Sequence, residues 1–223
     1  MTGAYTGWHA RTYDAIWRHF EERTLSETVK LIDVNVLAAM RATTGRWPRL
    51  LDVACGTGLL LRRLRELLPE AEAYGVDASA DMLAQARWAL DGRPHVHLVQ
   101  AVVGSGPRAA LPFERGTFDL VACTNALHYF PDPVAALAGL IDLVAPGGQF
   151  VLEDYARREP PFPWPLFEWI VRQVDAGHVC AYTLEEARRA CAAAGLQIAR
   201  DTAFAVDWLW HAWALRAQAT VPA

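Results

Sequence analysis

Lysine is almost missing from this chain. Lys30 is the only one among 223 residues, and arginine carries the rest of the positive charge. With 21 basic against 25 acidic residues the formal charge is -4, which disfavours a surface built for nucleic-acid phosphates. Cysteine is scarce as well. Cys55, Cys123, Cys180 and Cys191 form no Cys-x-x-Cys pair and lack a paired histidine spacing, so neither a metal site nor a disulfide framework is expected. No apolar stretch reaches the length of a membrane span, and Met1–Ala10 has no signal-peptide core. A protein of the reducing cytoplasm with no membrane partner is the expectation. Hydrophobic residues make up 53% and charged residues 21%, which excludes a disordered chain. The length suits one large α/β domain.

The N-terminal stretch, residues 1–46, reads as a helical cap. Trp17, Phe20, Leu25, Val29, Ile32 and Val36 recur at helical intervals, and Ser26 with Glu27 predicts the start of a second helix. A regular alternation begins after Trp47-Pro48. Strands are expected at 49–54, 71–77, 95–103, 118–124 and 149–154. Helices are expected at 58–68, 79–90 and 132–144, the last closed by Pro146-Gly147-Gly148. Strand, helix, strand in this rhythm predicts βαβ crossovers and a mostly parallel sheet with helices on both faces. A Pro-rich break at 159–165 opens an insertion, 155–182, with a short helix at 166–174. A helix capped by Thr183 and a C-terminal strand pair, 196–204 and 208–217, complete one domain over 1–223.

The most informative segment is Leu50-Leu51-Asp52-Val53-Ala54-Cys55-Gly56-Thr57-Gly58. It sets a Gly-x-Gly turn directly after the first strand, where glycine permits a tight turn and lets a ligand approach the backbone. The dinucleotide fingerprint fails, because Leu61 stands where its third glycine belongs. Asp52 precedes the turn, and its charge suits a cationic ligand rather than a phosphate. Asp77 ends the second strand about 20 residues on, where a carboxylate accepts both hydroxyls of a ribose. This pair of features implies a nucleoside ligand.

Taken together these residues resemble the class I S-adenosylmethionine-dependent methyltransferases. The quoted parts are Leu51–Gly58, then Gly75-Val76-Asp77-Ala78-Ser79 with Met82-Leu83, then Leu111-Pro112-Phe113. Next come Phe118-Asp119-Leu120-Val121, Ala126-Leu127-His128-Tyr129-Phe130 and Leu143–Gly148. The later parts look most like the small-molecule and quinone-type members. The resemblance implies a Rossmann-like seven-stranded sheet with one antiparallel strand from the C-terminal hairpin. It implies S-adenosylmethionine as cofactor and S-adenosylhomocysteine as product. Asp52, Ala54, Gly56 and Gly58 would then hold the cofactor's methionine side, with Thr124 and Asn125 beside it. Asp77 would bind ribose, and Ala78, Met82, Val102 and Val103 would flank the adenine. Val102-Val103 departs from the Gly-Asp-Ala of many relatives at 101–103, which removes a carboxylate partner for the adenine amino group.

Methyl transfer from a sulfonium has a neutral leaving group, so proximity and alignment supply most of the rate. A base helps only with a protonated acceptor. His128, four residues beyond Thr124, is the candidate base; its structural alternative is to order the loop. Tyr13 in the N-terminal helix and Tyr155 at the end of the fifth strand are candidate acceptor contacts. Phe162, Trp164, Phe167 and Trp169 in the insertion either wall an aromatic pocket for a planar or lipophilic small molecule or simply pack the insertion down. Trp164 stands as the third candidate acceptor contact. A monomer or homodimer is expected. The same fold also serves proteins that hold the cofactor without methylating, as cyclisation or elimination enzymes or as regulatory binding modules, and the sequence leaves that alternative open.

Overall fold

The computed structural model describes residues 7–103, 111–175 and 177–219, without the side chains of 8–14, 16 and 219. The expected acceptor contact at Tyr13 therefore lies outside the described side chains. The chain opens with α1 (Trp8–Leu31) and α2 (Val34–Thr44), then β1 (Arg49–Val53), α3 (Leu59–Leu67), β2 (Glu72–Asp77), α4 (Ala80–Ala89) and β3 (Val96–Gln100). β4 (Phe118–Thr124) leads through a 3-10 turn, Leu127–Tyr129, to α5 (Pro133–Ile141) and β5 (Val144–Tyr155). α6 (Trp164–Val174), α7 (Leu184–Ala193), β6 (Leu196–Ala205) and β7 (His211–Ala219) complete it.

All seven strands join one sheet in the order β3-β2-β1-β4-β5-β7-β6. The first five are mutually parallel, and β7 is antiparallel to both β5 and β6. This is the Rossmann-like arrangement expected from the sequence. Local chemistry sets the helix starts. Ser79 accepts from Met82 N at 3.2 Å, Asp132 caps α5 with Pro133 in its first turn, and Thr183 with Glu186 forms a capping box on α7.

Several boundaries differ from the sequence-based expectation, and two of them are set by distant partners. Ser26 lies inside α1, and the break falls at Ile32-Asp33 instead. There Asp33 caps α2 through Val36 N at 3.2 Å, while its own N–H is held by Gln149 Oε1 at 2.7 Å. A long-range partner decides where the helix stops. β5 also starts early, at Val144, because Val144 pairs with Phe118 across a register shift that absorbs Pro146-Gly147-Gly148.

Strand residues alternate between two cores. Leu51, Val121, Phe150, Leu152 and Trp213 pack with α5 and α7 on one face. Leu50, Leu120, Ala122 and Val151 pack with Leu37, Leu60 and Leu64 on the other. Arg46 grips Asp119 through two hydrogen bonds of 2.6 and 2.9 Å, and Arg49 N adds a third at 2.8 Å. That clamp fixes the entry of β1 against the entry of β4.

Gly75 marks the tightest packing around the site. A Cβ there would meet Leu61 Cδ1 and Leu98 Cδ2 at 2.7 Å and Cys55 Sγ at 2.8 Å. Gly75→Ala should therefore cost about 1–3 kcal/mol of stability through overpacking. Denaturant unfolding of the variant checks this, and an unchanged midpoint would contradict the packing argument.

Candidate functional site

Parallel β1 and β2 pair Val53 with Val76, so their carboxyl ends finish level and a crevice opens beyond them. The chain leaves β1 through left-handed backbone at Ala54 (φ 58), Gly56 (φ 52) and Gly58 (φ 82). The two glycines do different work. At Gly58 a Cβ would meet Leu90 Cδ1 at 3.0 Å and Ala86 Cβ at 3.3 Å, so this glycine lets α3 start against α4. At Gly56 the Cβ would meet Met82 Cε at 3.9 Å and nothing closer, so its backbone faces open space. Asp77 spans the two loops. Its Oδ2 accepts from Gly56 N and its Oδ1 from Ser79 N, each at 2.8 Å.

A cavity of about 390 Å³ lies over these ends. Its wall includes Asp52, Ala54, Gly56, Asp77, Ala78 and Met82, then Val102, Val103, Thr124 and Asn125. The structure thus gathers the residues that the sequence resemblance assigned to a cofactor, apart from Gly58, which is spent on helix packing. The wall also holds residues that sequence reasoning passed over: Glu21 and Leu25 of α1, Cys55, Tyr129, Phe130 and Gly177. Glu21 sits in an apolar helical stripe, where a glutamate reads as solvated. Gly177 carried no local signal at all.

The expected acceptor-side residues fall elsewhere. His128 is 4% exposed. Its Nδ1 lies 2.7 and 2.9 Å from the Asp154 oxygens, and Asp154 also accepts His128 N at 2.9 Å. Its ring is packed by Tyr129 and Tyr155, with centroids at 4.0 and 4.5 Å. The imidazole is not part of the described cavity wall, so the expected base has no opening onto it here. Tyr155 is buried, with its hydroxyl 2.6 Å from His178 Nδ1. His178 Nε2 lies 3.0 Å from Glu168 Oε1. Burial would raise the Glu168 carboxyl, but the His178 ring and the Ala181 N–H outweigh it and pull it down. Glu168 is thus an acceptor, which puts the imidazole proton on Nε2 and makes Nδ1 the acceptor of the Tyr155 hydroxyl.

Trp164 is buried in a separate aromatic cluster with Phe20, Tyr155 and Ala212, packed by Trp17, Phe162, Phe167 and Trp210. These aromatics seat α1 and α6 on the β5–β7 edge. Neither Tyr155 nor Trp164 lines the cavity. Packing claims them instead.

Electrostatically the site is unusual. Both Asp52 oxygens, both Glu153 oxygens and the Asn125 side-chain amide are buried without a hydrogen-bond partner among the described residues. Burial pushes the Asp52 carboxyl well above its ordinary range, and the nearby Asp77 and Glu21 add to the shift. Burial likewise raises Glu153, helped by Asp154 and Glu21. Asp77 is raised by burial too, against which its backbone hydrogen bonds work. The Cys55 thiol, at the cavity wall, is pushed up by burial and by Asp52, which keeps it protonated and poorly nucleophilic. Among the described residues no group of three His, Cys, Asp or Glu side chains is placed to hold a metal ion. Nor is any helix there long and apolar enough to cross a membrane.

Residues 51–150 match a protein family described as a methyltransferase domain. A demethylmenaquinone methyltransferase of Thermus thermophilus is 37% identical over 125 residues, covering 56% of this chain and 53% of that one. The chain spans about half the length of such curated relatives. Among solved structures, an O-methyltransferase family 2 protein from Planctomyces limnophilus, in complex with apigenin, matches with TM-score 0.72. It is 18% identical, and the match covers 94% of this chain and 60% of that one. The cyclase SpnF matches with TM-score 0.63 at 16% identity, over 96% of this chain and 97% of that one. At these identities the two structures bear on the fold alone.

The two buried acids should leave a mark on stability. Their folded-state values lie above the unfolded ones, so the folded chain binds more protons. Stability then falls as pH rises from the ordinary carboxylate range towards the raised values. Asp52→Asn combined with Glu153→Gln should gain about 1–3 kcal/mol at about pH 8 and much less at about pH 5. Denaturant unfolding at both pH values tests this. Equal gains at both would contradict the burial argument.

Proposed function

We propose, from the methyltransferase-domain match over residues 51–150 and the likeness to methyltransferase relatives, that this chain is a class I S-adenosylmethionine-dependent methyltransferase that transfers a methyl group to a small acceptor with an aromatic or lipophilic body. The observation that carries the reading is Asp52. A fully buried carboxylate with no partner among the described residues, on the wall of a cavity reached by a glycine turn, fits a cationic ligand. Asp77 adds the ribose side: each of its oxygens already accepts one N–H and keeps lone pairs for hydroxyl donors. The Ala78, Met82, Val102 and Val103 side of the wall is apolar and suits an adenine face.

When bound, S-adenosylmethionine supplies an electrophilic methyl on a sulfonium. The chain's own work is then to bind, align and exclude water. Asp52 sets a negative potential beside the glycine turn, and Thr124 and Asn125 shape the wall at the end of β4. His128 and Asp154 act as a positioning pair that holds the turn after β4 so that Tyr129 and Phe130 face inward. This role replaces the expected base at His128. α1, through Glu21 and Leu25, and the insertion, through Gly177, serve as covers over the two ends of the cavity.

The test is calorimetric titration with S-adenosylmethionine, S-adenosylhomocysteine and NAD(H). The sulfur nucleosides should bind and NAD(H) should not. Burial raises the Asp52 carboxyl and a cation beside it would lower it again, so binding should release protons, seen as a dependence of the heat on buffer ionisation and lost in Asp52→Asn. Asp77→Ala should weaken binding by about 1–3 kcal/mol. His128→Ala should leave affinity in place while lowering turnover. Preference for NAD, or indifference to Asp77→Ala, would sink the assignment. Tight binding with no donor consumption across phenol, amine, thiol and carboxylate acceptors would move the chain to a non-methylating role.

A further inference from the structure

α6 has two apolar faces, and only one of them is packed. Trp164 and Phe167 turn inward to the aromatic cluster with Phe20 and Trp210. The opposite face carries Leu166, Trp169, Ile170 and Val174, which are 60, 60, 47 and 82% exposed. Spacings of three and four residues set them in one stripe. A surface helix places charged and polar groups on its outer face, so a stripe of this composition marks an interaction surface.

The charges of α6 are sorted along the same line. Its acid Glu168 is spent on His178 Nε2 at 3.0 Å and Ala181 N at 3.2 Å. Asp175, which ends the helix, is spent on Tyr129 Oη at 2.5 Å and Gly177 N at 3.0 Å. The base Arg172 stays half exposed while it donates to Val179 O at 2.7 Å. A second arginine, Arg158, lies over the Phe162 ring at 4.3 Å and donates to Trp208 O at 3.0 Å, and Trp208 is itself 83% exposed. Apolar bulk, tryptophan and arginine are thus offered outward, while the two acids of the helix are engaged elsewhere.

The stripe is too small for a stable dimer. α6 has 11 residues, so it is about 16 Å long and about 10 Å across, a footprint of about 160 Å². A specific protein–protein contact buries about 800 Å² on each partner. A lipid surface sets no such minimum. It takes tryptophan rings at headgroup depth, aliphatic side chains just below, and guanidinium groups against its phosphates.

We propose that α6 is a membrane-docking helix that lies flat in the interface of an anionic bilayer, with Leu166, Trp169, Ile170 and Val174 in the acyl boundary and Arg172 among the headgroups. The sequence-based expectation of no membrane partner follows from the missing spans, and a helix lying in the interface needs none. Docking does not rest on the methyl-transfer reading. Where both hold, Gly177 of the cavity wall follows α6 directly, so the lipid side offers a short route for a lipophilic acceptor.

The test is co-sedimentation of the full chain with vesicles of phosphatidylcholine alone and of equimolar phosphatidylcholine and phosphatidylglycerol. The chain should pellet with the mixed vesicles and more weakly with the neutral ones. Trp169→Glu combined with Ile170→Glu should lower binding by at least about tenfold and leave the unfolding midpoint in place, because both positions are exposed. Should the pair unfold the chain, Val174→Glu at the most exposed position of the stripe replaces it, with a loss of about threefold or more. Trp88→Glu on α4, at a position 81% exposed, should bind as the wild type does. Four results overturn the proposal: no binding to the mixed vesicles, equal binding to the neutral ones, full binding by the stripe variant, or an equal loss in Trp88→Glu. A dimer in light scattering that the stripe variant disperses would give this face to a second copy and overturn it too.

Discussion

The Asp77 carboxylate receives the Gly56 N–H through one oxygen and the Ser79 N–H through the other, and the geometry of the whole crevice depends on that bridge. It ties the glycine turn after β1 to the start of α4. The bridge forms because parallel β1 and β2 end level. Leu61, Leu98 and Cys55 close so tightly around Gly75 that β2 cannot shift. With the loops locked, Gly56 presents backbone rather than side chain to the cavity. Met82 is likewise held over it by a helix whose cap, Ser79, is itself fixed by Asp77.

Around this frame the chain accepts an electrostatic cost. Asp52 and Glu153 are buried near Glu21 of α1, which adds another acid rather than a counter-charge. The buried threonines of α1 are satisfied within their own helix, Thr28 on Thr24 O at 2.9 Å and Thr24 on Glu21 O at 3.3 Å. Buried carboxylates without partners lower stability. Fold stability alone gives no reason to leave Asp52 and Glu153 in that state.

The other end is built by a different force. Aromatic side chains of α1 and α6, with Tyr155 and Trp210, make a further small core at the end of β5 and the start of β7. It binds the insertion to the β5–β7 edge, while the Tyr155–His178–Glu168 chain and the Val179 and Cys180 amides fix the stretch between α6 and α7. The cavity's far wall is therefore a hydrogen-bonded seam between a 3-10 turn and the end of a helix.

The sequence by itself determined the sheet, its crossovers and the glycine-turn side of the crevice. Hydrophobic periodicity, caps at Ser79, Asp132 and Thr183, and the glycine turn are all local. The residues that line that side, from Asp52 to Met82, stand next to the ends of consecutive strands. The helix break at Asp33 and the early start of β5 escaped it, because Gln149 and Phe118 decide them from far along the chain. The acceptor side was likewise a tertiary decision. His128, Tyr155 and Trp164 were legible as residue types, yet packing drew them into buried networks. Tyr129, Asp175 and Gly177 meet only because α6 docks on an aromatic cluster. Periodicity encodes which face a residue takes within its own element; which distant side chain it then meets depends on how the elements close on one another.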